Sequence, residues 1–313
     1  MPDVLSLLIV FIEHHKAGSP TDANVYWIHL RPPEIARKFE ELHGIKISHR
    51  MIKRQLLVMN FRYRKLSKQL ATGQYAHRDQ QFKIIFELVL LMSSNNPVVS
   101  IDCKKKERIG NLYREGKCYV QGLLRVYDHD YSHLSKGKVI PFGIYDWLRN
   151  EGYISIGNSA ETAEFIFDNL LWWWDNFGIH QYADAHHILI LCDAGGANSY
   201  RHYAFKKQIL KLAALIGKTI IICHYPPYAS KWNPIEHRLF AHVHHAMKGV
   251  IFTDYLIVKE LIEKTSTSTG LKVVVRIVDK HYPIGLKTTR DEVDFNRINN
   301  NLIIPELSYA ISP

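Results

Sequence analysis

Apolar residues follow two different rhythms along this chain, one before residue 62 and another from residue 97 onward. In the first part they recur at helical spacing. Leu5 to Ile12 is an apolar run interrupted by Ser6 and followed by Glu13, His14, His15 and Lys16, which predicts a short amphipathic helix over residues 1–16. A loop follows at Gly18-Ser19-Pro20-Thr21-Asp22. Pro33 then opens a second helix with Ile35, Ala36, Phe39 and Leu42 at helical spacing, and Gly44 stops it. Ser48 is a good N-cap for a third helix, with Met51, Ile52, Leu56 and Leu57 inward. Two short helices joined by a glycine-containing turn make a helix-turn-helix candidate.

From residue 97 the apolar residues gather into short blocks separated by helical stretches. Val98-Val99-Ser100-Ile101-Asp102 reads as a buried, β-branched strand. Val139 to Trp147 and Tyr153 to Ile156 read as two more, joined at Asn150-Glu151-Gly152. Glu161 to Phe177 reads as a helix whose Trp172-Trp173-Trp174 run serves core or interface packing, with base stacking as the alternative. His187 to Cys192 is a continuous apolar strand ending on Asp193. A helix over Tyr200 to Ile216, a strand over Thr219 to Cys223 and a helix over Pro234 to Met247 follow. This order predicts an α/β domain, a mixed sheet flanked by helices, over 97–313, its tail beyond Ser308 frayed. Residues 1–66 are expected to form a small all-α region and 67–96 a linker helix.

Forty Lys and Arg against thirty Asp and Glu give the 313 residues a net charge of +10 and a pI near 9.3. Such an excess suits a polyanionic partner, nucleic acid first and an anionic membrane surface second, although many basic soluble proteins bind neither. Charge also changes the reading of the third helix, which carries His49, Arg50, Lys53, Arg54 and Gln55. These types reach phosphates and base edges from a major groove, the alternative being a solvated helix face. Arg62, Arg64, Lys65, Lys68 and Arg78 carry the basic character into the linker, which could run beside a DNA backbone. A hydrophobic fraction of 47% and a mean hydropathy of −0.15 fit a soluble globular chain. Four scattered cysteines form no C-x-x-C pair, which excludes zinc-ribbon and thioredoxin readings and suits the reduced thiols of a cytoplasm. Leu5 to Ile12 is too short to span a bilayer, so no membrane role is expected.

Three carboxylates carry the candidate chemistry. Asp102 ends the first strand of the α/β region, Asp193 ends the fourth, and Glu236 lies in the first turn of the last predicted helix. Magnesium prefers hard oxygen ligands and is usually held by a few carboxylates, waters and substrate phosphates. Two such ions can stabilise both the attacking and the leaving oxygen of an in-line phosphoryl transfer. Adjacent parallel strands would bring Asp102 and Asp193 to one sheet edge, with the helix reaching across. Spacing alone leaves this one triple among many, and placement on two strand ends and a helix start makes it plausible.

The segments VSIDCKKKERIGN (99–111), GKVIPFGIYDWLRNEGYISIG (137–157), TAEF (162–165), LCDAGGANSYR (191–201), CHYPPYASKWNPIEHRLF (223–240) and TSTSTGLKV (265–273) resemble the Rhodopirellula-type DDE transposases of bacterial insertion sequences. The resemblance implies a ribonuclease-H-like fold on which Asp102, Asp193 and Glu236 form the catalytic, metal-binding triad for two Mg2+ or Mn2+ ions. It implies DNA partners, transposon ends and target, and a homo-oligomer on DNA, because two ends must be joined. The bacterial cytoplasm, at the nucleoid, is the expected location. The stretch WIHLRPPEIARKFEELHGIKISHRMIKRQL resembles the family's helix-turn-helix. Family members usually have a longer N-terminal region, so this part is expected to be incomplete. They also tend to carry glycine where this chain has Ala194.

Neighbours of the triad are candidate DNA contacts. Lys104, Lys105 and Lys106 could hold phosphates of the scissile strand, the alternative being a solvated basic turn. Asn198 and Arg201 could meet a phosphate at a helix N-terminus, and Lys231, Asn233, His237 and Arg238 surround Glu236. His237, His242, His244 and His245 invite a zinc reading, but no cysteine or ligand spacing supports a closed site. Asp128-His129-Asp130 reads as structural or surface, and Ser230 lacks partners for a nucleophile. Three functions compete: a transposase, a DNA-binding protein without catalysis, and a ribonuclease-H-type nuclease that would leave the helix-turn-helix unexplained.

Overall fold

The computed structural model describes residues 3–19, 22, 24–65, 75–92, 95–129, 131–300 and 303–313. Its chain divides into two units, Met1–Leu70 and Ala71–Pro313.

In the first unit, helix α1 (Val4–His14) leads through the short antiparallel strands β1 (Lys16–Gly18) and β2 (Tyr26–Ile28) to helices α2 (Pro32–His43) and α3 (His49–Val58). Local chemistry sets the helix ends. Arg31 and Glu34 form a capping box before α2, Gly44 closes it at φ 67°, and the Ser48 hydroxyl accepts from the Met51 amide at 3.3 Å. Leu8, Phe11, Ile12, Ile35, Phe39, Ile47 and Ile52 make the core. Met51 and Leu57, expected inward, are exposed, as is Leu42 at its helical spacing: α2 buries only an i, i+4 pair and α3 only Ile52. Strands of three residues carry no readable alternation, and β1–β2 is not apparent from the sequence. Pro20, Thr21 and Lys68, named in the expected loop and linker, lie outside the described residues.

The second unit opens with α4 (Arg78–Leu91). Strands β3 (Val98–Cys103), β4 (Glu107–Ile109), β5 (Gly137–Asp146) and β6 (Glu151–Gly157) follow. Helix α5 (Ala163–Trp173) continues through a wide turn into α6 (Ile179–Gln181). Next come β7 (His187–Cys192), α7 (Tyr203–Ile216) and β8 (Thr219–His224), then a wide turn at Glu236–Phe240 that runs into α8 (Ala241–Ala246). Helix α9 (Tyr255–Glu263) and strands β9 (Lys272–Val278), β10 (Ile298–Asn299) and β11 (Ser308–Ile311) complete the unit.

The sheet runs in the order β10-β11-β8-β7-β3-β5-β6-β9, with β4 paired to β5. Strands β3, β7 and β8 are mutually parallel, whereas β5 is antiparallel to both β3 and β6. Side chains alternate across it. Val99, Ile101, Ile188 and Ile190 pack against α5 and α7 through Phe165, Trp173, Phe205 and Ile209. Leu189, Leu191 and Val98 face Ile84, Ile85 and Leu88 of α4, and Tyr145, Ile154 and Ile156 face Leu239, Phe240 and Val258. Each such side chain contributes roughly 1.5–3 kcal/mol by leaving water.

Two expectations change here. The segment read as a linker supplies α4, whose apolar face covers the sheet within the second unit. The tail read as frayed is β11, antiparallel to β8, with Ser308, Tyr309 and Ile311 buried. Trp173 and Trp174 are buried in the core, and the Arg276 guanidinium lies 4.2 Å from the ring centre of Trp172. Among the described residues no helix is long and apolar enough to cross a membrane.

Candidate active site

The parallel register of β3 and β7 pairs Ser100 with Leu191, so Asp102, still within β3, and Asp193, just past the end of β7, each two residues further on, lie at the same level. Asp102 accepts a hydrogen bond from the Cys103 amide at 2.7 Å. Burial first, then the charge of Asp193 and a Glu236 carboxyl within hydrogen-bonding reach, push the Asp102 carboxyl up to about 8. Asp193 is also raised by burial, opposed by the Asn198 amide, which donates to Oδ1 at 3.0 Å.

Glu236 is brought to Asp102 by a clamp on β3. Asn233 is fully buried; its Nδ2 donates to the Ile101 carbonyl at 3.2 Å, and its Oδ1 accepts from the Ser100 hydroxyl. Ser100 Oγ in turn accepts from the Ile235 amide at 3.2 Å. The next strand leaves room for this turn, because a Cβ on Gly143 would lie 2.6 Å from Phe240 Cε1 and 2.9 Å from Ile235 Cδ1.

Behind Asp193 sits His224, the last residue of β8, with no exposed surface. Its Nδ1 is 2.9 Å from the Asp193 carbonyl oxygen and 3.2 Å from Cys192 Sγ, and its Nε2 is 3.2 Å from the Tyr309 hydroxyl. Burial holds the ring's pKa down at about 4.

Among the described residues no lysine or arginine forms an ion pair with Asp102, Asp193 or Glu236. Nor is any group of three or more His, Cys, Asp or Glu side chains among them arranged so that it could hold a metal ion. The three carboxylates are close enough for their charges to raise the Asp102 carboxyl, and carboxylate oxygen is the donor type of a hard cation that keeps waters and substrate oxygens among its ligands.

Residues 7–313 match the family described as the Rhodopirellula transposase DDE domain. The chain belongs to that family. It is a DDE transposase, a polynucleotidyl transferase by class. A crystal structure of the mariner Mos1 paired-end complex with Mg is similar at a TM-score of 0.50 and 14% identity, over 84% of this chain and 72% of that one. A pre-cleavage Mos1 transpososome gives 0.49 at 14% identity, over 84% and 70%. At this identity the likeness speaks to the fold, a ribonuclease-H-like mixed sheet. No curated protein matches the chain.

Within this transposase the predicted DNA contacts separate into two groups. Lys105, Arg201, Lys231, His237 and Arg238 are exposed in the second unit, and Arg50, Lys53 and Arg54 are exposed on α3 of the first. Lys106 is partly engaged by Glu161 at 3.3 Å. Asn198, Asn233 and Lys104, by contrast, are buried. Asn198 holds the Asp193 carboxylate, Asn233 is tied to the Ser100 hydroxyl and the Ile101 carbonyl of β3, and the Lys104 ammonium is bound by Glu107 at 3.1 Å. Reading these three as DNA contacts is therefore corrected, since their polar groups face inward.

Glu161 is a neighbour that sequence reasoning passed over. Its charge reaches Asp193, and its Oε1 lies 3.4 Å from where a Gly196 Cβ would be. Only its place directly before the TAEF segment hinted at this. His237, His242, His244 and His245 are exposed along the helix. Asp128 and His129 lie on the surface, while Asp130 and the Ser230 side chain lie outside the described residues.

Proposed function

We propose that Asp102, Asp193 and Glu236 hold two divalent cations, Mg2+ or Mn2+. With them the protein would hydrolyse a phosphodiester at a transposon end and direct the freed 3′-hydroxyl at target DNA. The observation that carries this reading is the meeting of three carboxylates at one sheet end without a basic partner among the described residues. Bound there, such ions would polarise the scissile phosphate and stabilise the attacking and leaving oxygens. The chain's own part is to hold the ligands still: Asn198 orients Asp193, and the Ser100–Asn233 clamp holds the turn that carries Glu236. That the Mos1 structure sharing the fold is a paired-end complex with Mg supports both metal and DNA.

Residues 1–66 would serve as the helix-turn-helix region, with Arg50, Lys53 and Arg54 of α3 meeting DNA. Lys105, Lys106, Arg201, Lys231, His237 and Arg238 would line the path of the scissile strand. Joining two ends calls for at least a dimer on DNA, working at the nucleoid of a bacterial cytoplasm. The test is cleavage of end-containing DNA with Mg2+ or Mn2+. Wild type should cut and Asp193→Ala should not; equal cutting, or none by either while both bind DNA, overturns the enzymatic reading.

A further inference from the structure

We infer that His224 is a positioning residue for Asp193, and that Tyr309 sets the tautomer that His224 needs. This rests on the reading of Asp193 as a metal-holding carboxylate. A carbonyl oxygen can only accept, so the ring nitrogen 2.9 Å from the Asp193 carbonyl must carry its hydrogen. In a neutral imidazole the other nitrogen then has only a lone pair to offer. The Tyr309 hydroxyl, 3.2 Å from Nε2, donates to it. The opposite tautomer would set the Nδ1 lone pair against those of the carbonyl.

The rest of the ring's surroundings leaves it little freedom. Cys192 Sγ, 3.2 Å from Nδ1, is a weak partner from the same side. Tyr200, Phe205 and Tyr309 pack around the imidazole at centroid distances of 6.0, 6.1 and 5.9 Å. The His224 main chain is tied as well, its amide donating to the Leu307 carbonyl at 2.7 Å and its carbonyl accepting from Gln81 Nε2 at 2.8 Å. Asp193 is thus gripped twice, its carboxylate by Asn198 and its carbonyl by His224. The peptide that leaves the sheet toward Gly195 and Gly196 is aligned by a hydroxyl on β11.

Four variants test this, alongside Asp193→Ala. In His224→Asn the side-chain amide can stand near the place of Nδ1 and still donate to the carbonyl. In His224→Gln it reaches toward the place of Nε2, and His224→Ala removes both. Tyr309→Phe deletes only the hydroxyl. Nitrogen NMR of histidine-labelled protein should show His224 protonated at Nδ1 in wild type and a mixed or reversed tautomer in Tyr309→Phe. The Mn2+ concentration for half-maximal cleavage of end DNA should rise about tenfold or more in His224→Gln, His224→Ala and Tyr309→Phe, the range seen when supports of metal ligands are removed. His224→Asn should restore it to within a few-fold of wild type, whatever the melting temperatures do.

Wild-type metal dependence in all four variants, with Asp193→Ala inactive, overturns the inference and spares the metal site. An unchanged Nδ1–H tautomer in Tyr309→Phe overturns the role of Tyr309. Wild-type cleavage by Asp193→Ala sinks the reading of the metal site, and the inference falls with it.

Discussion

Asp102 and Gly143 stand directly opposite one another in the antiparallel pair of β3 and β5. The carboxylate on one strand and the missing side chain on the other serve the same turn. Phe240 and Ile235 pack down where a Gly143 Cβ would be, and this sets Glu236 beside Asp102. Gly143→Ala should therefore lift the Glu236 turn. Overpacking of this kind costs about 1–3 kcal/mol, and cleavage of end DNA should fall at least roughly tenfold, since a small misplacement of reacting groups is costly. A Gly143→Ala protein with wild-type melting temperature and cutting rate would show that the close approach is not needed.

Asn198 offers a second handle on the site. Its amide is the side-chain donor to the Asp193 carboxylate, so Asn198→Ala leaves that carboxylate looser and less acidic. Cleavage at limiting Mg2+ should drop by about tenfold or more, with partial recovery at high Mg2+. Asn198→Asp should be worse, because it adds a like charge beside Asp193. Equal metal dependence in wild type and both variants would contradict this.

His224 also gives the fold a pH dependence. Its folded pKa of about 4 lies below the ordinary histidine value of 6.5, chiefly through burial, with the charge of Lys206 adding to it. Between those values the unfolded chain takes up a proton that the folded ring refuses. The stability is therefore fully present above about pH 6.5, lost as pH falls toward 4, and level below that. The loss amounts to about 3 kcal/mol for this group. Denaturant unfolding of wild type and His224→Asn from pH 7 to pH 4 should show the variant with the shallower slope; parallel curves would refute it.

The basic face of α3 should reveal itself through salt. If Arg50, Lys53 and Arg54 meet phosphates, each replacement by alanine should lower the slope of log affinity against log salt by about one. A contact to a base edge would relax sequence preference instead. Filter or anisotropy titrations across a range of NaCl separate the two, and variants with an unaltered slope and preference would remove α3 as the DNA face.

The central strands were legible because they are buried on both faces, which writes unbroken apolar runs such as His187 to Cys192 into the sequence. Two of the three carboxylates could be placed for the same reason, since each closes such a run. What supports them could not be. Asn233 and Asn198 look like any polar residue a few positions from a basic one, and their burial depends on partners more than a hundred residues away (Ser100 for Asn233) or across a turn (Asp193 for Asn198). Edge elements were hidden too. Strand β11 is four residues long and earns its place only through pairing with β8, and in α4 the apolar residues run round the helix, with Phe86, Leu90 and Leu91 exposed, so no one-sided pattern marks the face that is buried.

The late position of β11 has a consequence for how the protein is made. Cys223 and Ser308, neighbours across β8 and β11, are 85 residues apart in the chain. At about 5–20 residues per second the ribosome needs several seconds to supply that stretch. During that interval the Ile220-Ile221-Ile222 edge of β8 has no native partner, and such an edge invites pairing with other chains. Asp193 also lacks the backbone anchor that Tyr309 completes. On the reading proposed for these residues, a nascent chain carries all three carboxylates before β11 can complete the support of Asp193.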